Sequence, residues 1–189
     1  MTKAPTSPQD ATASDLATRL THPLVLVGMM GVGKSSVGRR LAAALGFHFV
    51  DADEEIELAA QMGIPEMFEH YGEAYFRDGE RRVIERLLDR PRTVIATGGG
   101  AFVQEQTAQM ILDRGIAIWL DADLETLVER VSRNDNRPLL RGGDKRAIVA
   151  RIKAEREPAY ARAPIKVMSG RGPHSEVVAR ILEALKTWL

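Results

Sequence analysis

Short apolar runs alternate along the chain with longer stretches in which apolar residues return every three or four positions. The short runs are typical of buried strands, and the longer spacing is typical of helices that bury one face. Strands are predicted at 24–27, 47–50, 93–96, 116–120 and 165–168. Helices are predicted at 37–45, 53–61, 73–88, 123–131, 145–157 and 175–187. Because helices follow most of the strands, the chain is predicted to be an α/β protein.

Strands that read as nearly continuous apolar runs indicate a parallel sheet covered on both faces. We therefore predict one three-layer α/β/α domain over residues 23–189. Residues 1–22 differ, since they hold Pro5, Pro8 and several hydroxyl side chains but no apolar core segment. For this stretch we predict a disordered tail that holds at most one helical turn, near residues 16–20.

Composition narrows the function classes. The 26 basic and 26 acidic residues cancel, which argues against a protein that binds nucleic acid through bulk charge. No apolar run approaches the roughly 20 residues that cross a membrane, so no membrane partner and a cytoplasmic location are expected. Cysteine is absent, which excludes disulfides and thiolate sites. Six lysines leave 20 arginines, and arginine suits carboxylate and phosphate ligands.

The strongest motif is a phosphate-binding P-loop. Residues 28–35 read Gly-Met-Met-Gly-Val-Gly-Lys-Ser, between a predicted strand and a predicted helix. Glycines let successive backbone N–H groups turn towards phosphate oxygens, and the helix N-terminus adds partial positive charge. Lys34 is expected to reach the β- and γ-phosphates, and Ser35 is expected to bind Mg²⁺. The predicted ATP-binding residues here are Gly31, Val32, Gly33, Lys34, Ser35 and Ser36.

A P-loop occurs in switch GTPases, in ATPase motors and in small-molecule kinases. A GTPase needs an Asn-Lys-x-Asp guanine reader, which this sequence lacks. A motor needs a strand that ends in Asp followed by Glu, whereas Asp121 is followed by Ala122. A kinase needs a second pocket for the phosphate acceptor, and three further features of the sequence suit such a pocket.

The first feature is the pair Asp51 and Asp53, which ends the second predicted strand at the edge where open α/β sheets bind ligands. One carboxylate could serve Mg²⁺ and the other a substrate hydroxyl, although Asp53 could also cap the next helix. The second feature is Arg77, which either binds substrate or pairs with an acidic neighbour one turn away. The third is the run 98–100, three glycines that would let a ligand lie against bare backbone.

Six segments in this order resemble the shikimate kinases, which belong to the nucleoside-monophosphate-kinase-like P-loop group. Any one of them beyond the P-loop is weak, but together they are specific and they spread over residues 24–189. The segments are 28–36, Asp51-Ala-Asp53, Phe76-Arg77 with Glu80, Gly98-Gly-Gly100, Arg137-Pro-Leu-Leu140 and Arg156-Glu-Pro-Ala-Tyr160.

The resemblance implies a P-loop kinase fold with five parallel strands in the order 2-3-1-4-5. It implies a substrate-binding helical segment near residues 52–90 and a lid near residues 134–146. The implied reaction is transfer of the ATP γ-phosphoryl group to the 3-hydroxyl of shikimate, in aromatic amino-acid biosynthesis. The implied co-substrate is ATP and the implied cofactor is Mg²⁺.

The resemblance also implies a role for single residues. Asp53 would hold the acceptor hydroxyls and take the proton, so that Lys34, Asp53 and Arg137 form the catalytic set, with Arg137 as the lid arginine on the phosphates. Asp51 would support Mg²⁺ through water, beside Ser35. Arg130 would stack on adenine, and the loop 170–174 would close the other face of the base. The substrate-binding residues would be Asp53, Arg77, Gly98, Gly99, Gly100 and Arg156.

Two alternatives stay open on the sequence alone. One is a related kinase for another small hydroxy acid, such as gluconate. The other is a nucleotide-binding module whose acceptor site is inactive. In each case we expect small-molecule ligands and a monomer.

Overall fold

The computed structural model describes residues 8–132 and 144–189. Arg137 and most of the expected lid at 134–146 lie outside the described residues.

All five predicted strands are confirmed, within one residue at their ends. They are β1 (Leu24–Val27), β2 (His48–Asp51), β3 (Thr93–Ala96), β4 (Ile116–Asp121) and β5 (Ile165–Met168). They pair in parallel in the order β2-β3-β1-β4-β5, as the resemblance implies. Every residue of β1, β3 and β4 is buried, which is why these strands read as unbroken apolar runs.

The described residues form eight α-helices and one short 3₁₀ helix at Ala101–Val103. Three helical stretches differ from prediction, and the N-terminal one is described below. The helix Glu105–Arg114 is not predicted from the sequence, because its ten residues bury only Thr107, Ala108 and Ile111. Residues 64–71 are also helical, although no helix is predicted there, and Pro65 lies in the first turn, where proline is tolerated. Gly72, at φ +79° and ψ 173°, interrupts the helical backbone, so the predicted helix 73–88 begins where the prediction has it. The helices are α1 (Pro8–Arg19), α2 (Lys34–Leu45), α3 (Ala52–Ala60), α4 (Ile64–Leu88), α5 (Glu105–Arg114), α6 (Leu124–Ser132), α7 (Lys145–Tyr160) and α8 (His174–Trp188).

The N-terminal segment differs most from its prediction. Residues 8–19 form α1, where a disordered tail is predicted. Its buried side chains recur at helical spacing and pack against α2 and α8. Arg92 donates a hydrogen bond to the carbonyl of Ala17 at 3.3 Å. The local sequence contains the pattern but not the partner surface, because α8 lies at the other end of the chain. The buried residues of this segment are Ala13, Leu16, Ala17 and Leu20.

The sheet edge at the carboxyl ends of the strands positions the site. Parallel strands end there together, so β1 meets the P-loop, β2 ends in Asp51 and β3 is followed by the three glycines. Within the described ranges, no helix is both long and apolar enough to span a membrane.

Candidate active site

The P-loop connects Val27 of β1 to Lys34 of α2 through a turn that only glycine fits. Gly28 has φ +133°, and Gly31 and Gly33 also lie at positive φ, a region that side chains with a Cβ rarely adopt. A Cβ at Gly28 would collide with the backbone carbonyl oxygen of Leu120. The loop is therefore packed directly against β4.

The ammonium of Lys34 lies inside this loop. It is almost fully buried, and its Nζ donates hydrogen bonds to the carbonyl oxygens of Gly28 at 2.7 Å and Met29 at 2.8 Å. Lys34 opens α2, so the charge lies at the N-terminal end of a helix dipole. Backbone N–H groups, helix dipole and ammonium together make a site for a polyanion.

Ser35 and Asp51 meet beside the loop. The Ser35 hydroxyl donates to Asp51 Oδ2 at 2.6 Å, and Asp51 Oδ1 accepts from the backbone N–H of Asp53 at 3.1 Å. Asp51 therefore caps α3 while it orients the serine. In the described residues no group of three or more metal-ligating side chains occurs. One hydroxyl and one carboxylate nevertheless fit Mg²⁺, which takes its other ligands from phosphate and water.

Two carboxylates converge on Gly98. A Cβ at this position would lie 2.8 Å from Asp53 Oδ1 and 2.9 Å from Glu80 Oε1. Glu80 is 1% exposed, and its Oε1 has no hydrogen-bond partner within the described residues. A substrate hydroxyl that reaches this corner would find two acceptors and no backbone Cβ in its way.

Arg77 lies against the third glycine. Its Nη1 donates to Glu80 Oε2 at 2.7 Å, and its Nη2 donates to Glu73 Oε1 at 3.2 Å. A Cβ at Gly100 would lie 2.5 Å from Arg77 Nη2. The ion pairs with acidic residues of α4 are present, and the guanidinium also lies against the glycine turn, while substrate binding by Arg77 stays a prediction.

Arg156 and Tyr160 reach the same turn from α7. Arg156 Nη1 donates to the Gly99 carbonyl at 3.1 Å, and the Tyr160 hydroxyl donates to the same oxygen at 2.5 Å. Burial raises the pKa of Tyr160, so its phenol stays a neutral donor. The structure thus brings Asp53, Arg77 and Arg156 together around the glycines at 98–100.

Burial also governs the two acceptor-side carboxyls. Burial and the nearby charge of Asp51 raise the pKa of Asp53, although Lys34 acts against them. Burial raises the pKa of Glu80 and outweighs the attraction of Arg77. Both groups therefore hold a proton to a higher pH than an exposed carboxyl would.

Arg130 connects the P-loop to the segment after β5. Its Nη1 donates to the carbonyl of Val32 at 3.1 Å, and its Nη2 donates to the carbonyl of Gly170 at 2.6 Å. His174 lies next to Gly33, where a Cβ would be 3.3 Å from its Nε2. The loop 170–174 therefore borders the P-loop, while stacking of Arg130 on adenine stays a prediction.

The sequence reading assigned no role to three residues that shape the site. Glu80 and Tyr160 lie inside segments that resemble the family, in which only the arginines carry a predicted binding role. Ser169 is fully buried and donates to the Val32 carbonyl at 2.8 Å. Nothing in its sequence neighbourhood marks it.

Comparison with known proteins shows which family the chain is similar to. The family model "Shikimate kinase" matches residues 30–186. A shikimate kinase of Novosphingobium aromaticivorans is 60% identical over 175 residues, which are 90% of this chain and 91% of the relative. One from Caulobacter vibrioides is 53% identical over 174 residues, which are 92% of this chain and 87% of the relative.

A solved structure extends the agreement to three dimensions. Shikimate kinase from Acinetobacter baumannii in complex with shikimate superposes with a TM-score of 0.85 at 34% identity, over 95% of this chain and 98% of that one. The family model covers well over half of the sequence, and the relatives match over nearly all of it. The chain belongs to the shikimate kinase family.

Proposed function

We propose that this chain transfers the γ-phosphoryl group of ATP to the 3-hydroxyl of shikimate, giving shikimate 3-phosphate and ADP. The reaction is a step of aromatic amino-acid biosynthesis. The observation that carries the proposal is the convergence of Asp53, Arg77 and Arg156 on the glycines at 98–100, beside a P-loop. Such a convergence would supply cations for a carboxylate and an acceptor for a hydroxyl next to a phosphate site.

The two arginines would bind the shikimate carboxylate. Arg77 and Arg156 come from different helices and both border the glycine turn. Each guanidinium is a planar fork of donors that matches a carboxylate. A hydrogen bond to a charged group contributes about 1.5–3 kcal/mol, so two of them select strongly for an acid over a neutral polyol.

Asp53 would bind the attacking hydroxyl and accept its proton. Its Oδ1 lies at the glycine turn, and its raised pKa brings its basicity closer to that needed at neutral pH. Phosphoryl transfer proceeds through a loose transition state, so the late proton transfer needs only a well-placed base. Glu80 would offer a second acceptor to the hydroxyl groups at the same corner.

Lys34 would bind the β- and γ-phosphates, with Ser35 and Asp51 as the residues that hold Mg²⁺. When bound, Mg²⁺ neutralises phosphate charge. Arg137 would add a cation on the transferred group, as the resemblance implies. Replacing Arg137 by Ala is expected to lower kcat on the order of 10³-fold, since such a finger acts on the transition state. An unchanged kcat would remove Arg137 from this role.

We expect the functional unit to be a monomer. The direct test is ADP release from MgATP, coupled to a dehydrogenase assay, with shikimate, gluconate or no acceptor. Shikimate-dependent ADP and a single phosphate ester at the 3-position by phosphorus NMR are expected. Activity with gluconate instead would favour the sugar-acid kinase. Nucleotide binding without acceptor-dependent ADP would favour the inactive module.

A further inference from the structure

Asp121 is a buried carboxylate at the site edge that the reaction above does not use. It ends β4, is 7% exposed, and is followed by Ala122 rather than by the Glu of a motor ATPase. Its Oδ1 accepts from Lys153 Nζ at 2.5 Å and from the Ala122 N–H at 2.9 Å. Its Oδ2 lies 3.0 Å from Lys166 Nζ.

The two lysines determine the charge state of this carboxylate. Burial alone would raise the pKa of Asp121, but the two ammonium groups outweigh burial and lower it. The carboxylate is therefore ionised and paired at neutral pH. A buried ion pair often contributes little net stability, but it fixes the position of the segments that it connects. Here it connects the end of β4 to α7 and β5.

Lys153 belongs to the same stripe of α7 as two site residues. Arg156 and Tyr160 follow it by three and seven positions, a spacing that puts all three on one helix face. Lys153 contacts the end of β4, while the other two contact the Gly99 carbonyl after β3. One stripe of α7 is thus fixed to the ends of two strands.

Only part of α7 is fixed by apolar packing. Among its 16 residues the buried ones are Val149, Ile152 and Tyr160. Pro158 lies inside the helix, where proline removes one backbone hydrogen bond. The pair Lys153–Asp121 is therefore a main constraint on the part of α7 that leads into Arg156.

We propose that Asp121 is a positioning residue, which through Lys153 fixes α7 so that the Arg156 guanidinium faces the shikimate carboxylate. The inference rests on the proposed function, because it takes Arg156 as a substrate ligand. It adds a residue whose side chain pairs with two lysines and which would set the affinity for shikimate through one of them.

Lys166 supplies a matched control within the same cluster. It pairs with the other oxygen of Asp121 and lies 3.8 Å over the Trp119 ring, but it belongs to β5, which carries no proposed shikimate ligand. Replacing either lysine by Met removes one positive charge from the same carboxylate. Only the change at Lys153 also releases α7.

The test is calorimetric titration of shikimate, without nucleotide, into wild type, Lys153→Met and Lys166→Met. We expect Kd for shikimate to rise about tenfold in Lys153→Met, because a small misplacement of a binding group is costly. We expect a change within about twofold in Lys166→Met, and ATP affinity unchanged in both. Lys153→Arg, which can still donate to Asp121, should restore most of the affinity.

Several outcomes would overturn the inference. They are wild-type shikimate affinity in Lys153→Met, an equal loss in Lys166→Met, or an equal loss of ATP affinity. Thermal unfolding checks that each variant is folded. If Lys153→Met does not fold, Asp121→Asn replaces it, because it removes the same ion pair and both lysines are partly exposed and can turn to water. If wild type binds no shikimate, the proposed function itself fails and the inference falls with it.

Discussion

The two halves of the site are built in opposite ways. The phosphate side is centred on one continuous segment, residues 28–36, which provides the glycine backbone and one buried lysine as the groups that face an anion. The acceptor side is assembled from four separate places: Asp53, the pair at 77–80, the glycines at 98–100 and the face of α7 that carries Arg156.

The two halves also balance their charges differently. Lys34 is held by carbonyl oxygens of its own loop, and Arg130 and Ser169 donate to the same loop from other segments. Arg77 is held by Glu73 and Glu80, and one buried carboxylate oxygen of Glu80 has no hydrogen-bond partner among the described residues. The comparison teaches that phosphate binding is local in this chain, whereas acceptor selectivity depends on how helices pack around the glycine turn.

The largest expected effect belongs to the phosphate side. Lys34→Met should lower kcat on the order of 10³-fold, because a preorganised charge on the transferred group is lost. Steady-state kinetics with saturating shikimate measures it, and the exposed Lys186→Met is the control. A loss of less than tenfold would mean that the local half is not the main source of transition-state stabilisation.

The acceptor side should respond in substrate affinity. Arg156→Ala should raise KM for shikimate about 10- to 150-fold, the equivalent of one charged hydrogen bond of 1.5–3 kcal/mol, with KM for ATP unchanged. Arg151→Ala, on the same helix but exposed and paired with Glu155, is the control. Equal shifts in both Michaelis constants would contradict the separation of the two halves.

Two glycine substitutions contrast the halves directly. Gly28→Ala drives a Cβ into a backbone carbonyl at φ +133°, so it should lower the free energy of unfolding by about 3 kcal/mol or more. The atoms nearest to a Cβ at Gly100 belong to the Arg77 guanidinium, which can shift more readily than backbone, so Gly100→Ala should cost less stability than Gly28→Ala and raise KM for shikimate about fivefold. Denaturant unfolding and steady-state kinetics on both variants check this. A larger loss of stability in Gly100→Ala than in Gly28→Ala would contradict the prediction.

The smallest effect is a pH dependence of stability that arises on the acceptor side. Because burial raises the pKa of Glu80 in the folded state, the protonated side chain contributes stability at low pH, and this contribution is lost as pH rises from 4.5 through the folded-state pKa. The stability of Glu80→Gln relative to wild type should therefore increase between pH 4.5 and that raised pKa, by up to about 1.4 kcal/mol per pH unit. Urea unfolding at several pH values measures it, with the exposed Glu69→Gln as control; a flat difference would contradict it.

The same contrast explains what could be predicted from sequence. The strands and the P-loop could be predicted because their patterns are local. A run of four apolar residues predicts a buried strand, and the glycine-lysine motif predicts a phosphate-binding loop. The roles of Glu80 and Tyr160 depend on contacts across the fold, with Tyr160 donating to a carbonyl 61 positions away. Helix α1 was missed for the same reason, because its apolar face is decided by α8.

The P-loop that leads into α2 has a consequence for the choice of buffer anion in binding measurements. A cradle of backbone N–H groups and one ammonium recognises a tetrahedral anion, not a purine or a ribose. Sulfate and inorganic phosphate meet that requirement, so we expect them to compete with nucleotide. Apparent ATP affinity should fall when sulfate replaces chloride at constant ionic strength, which makes the buffer anion part of every measurement of nucleotide binding.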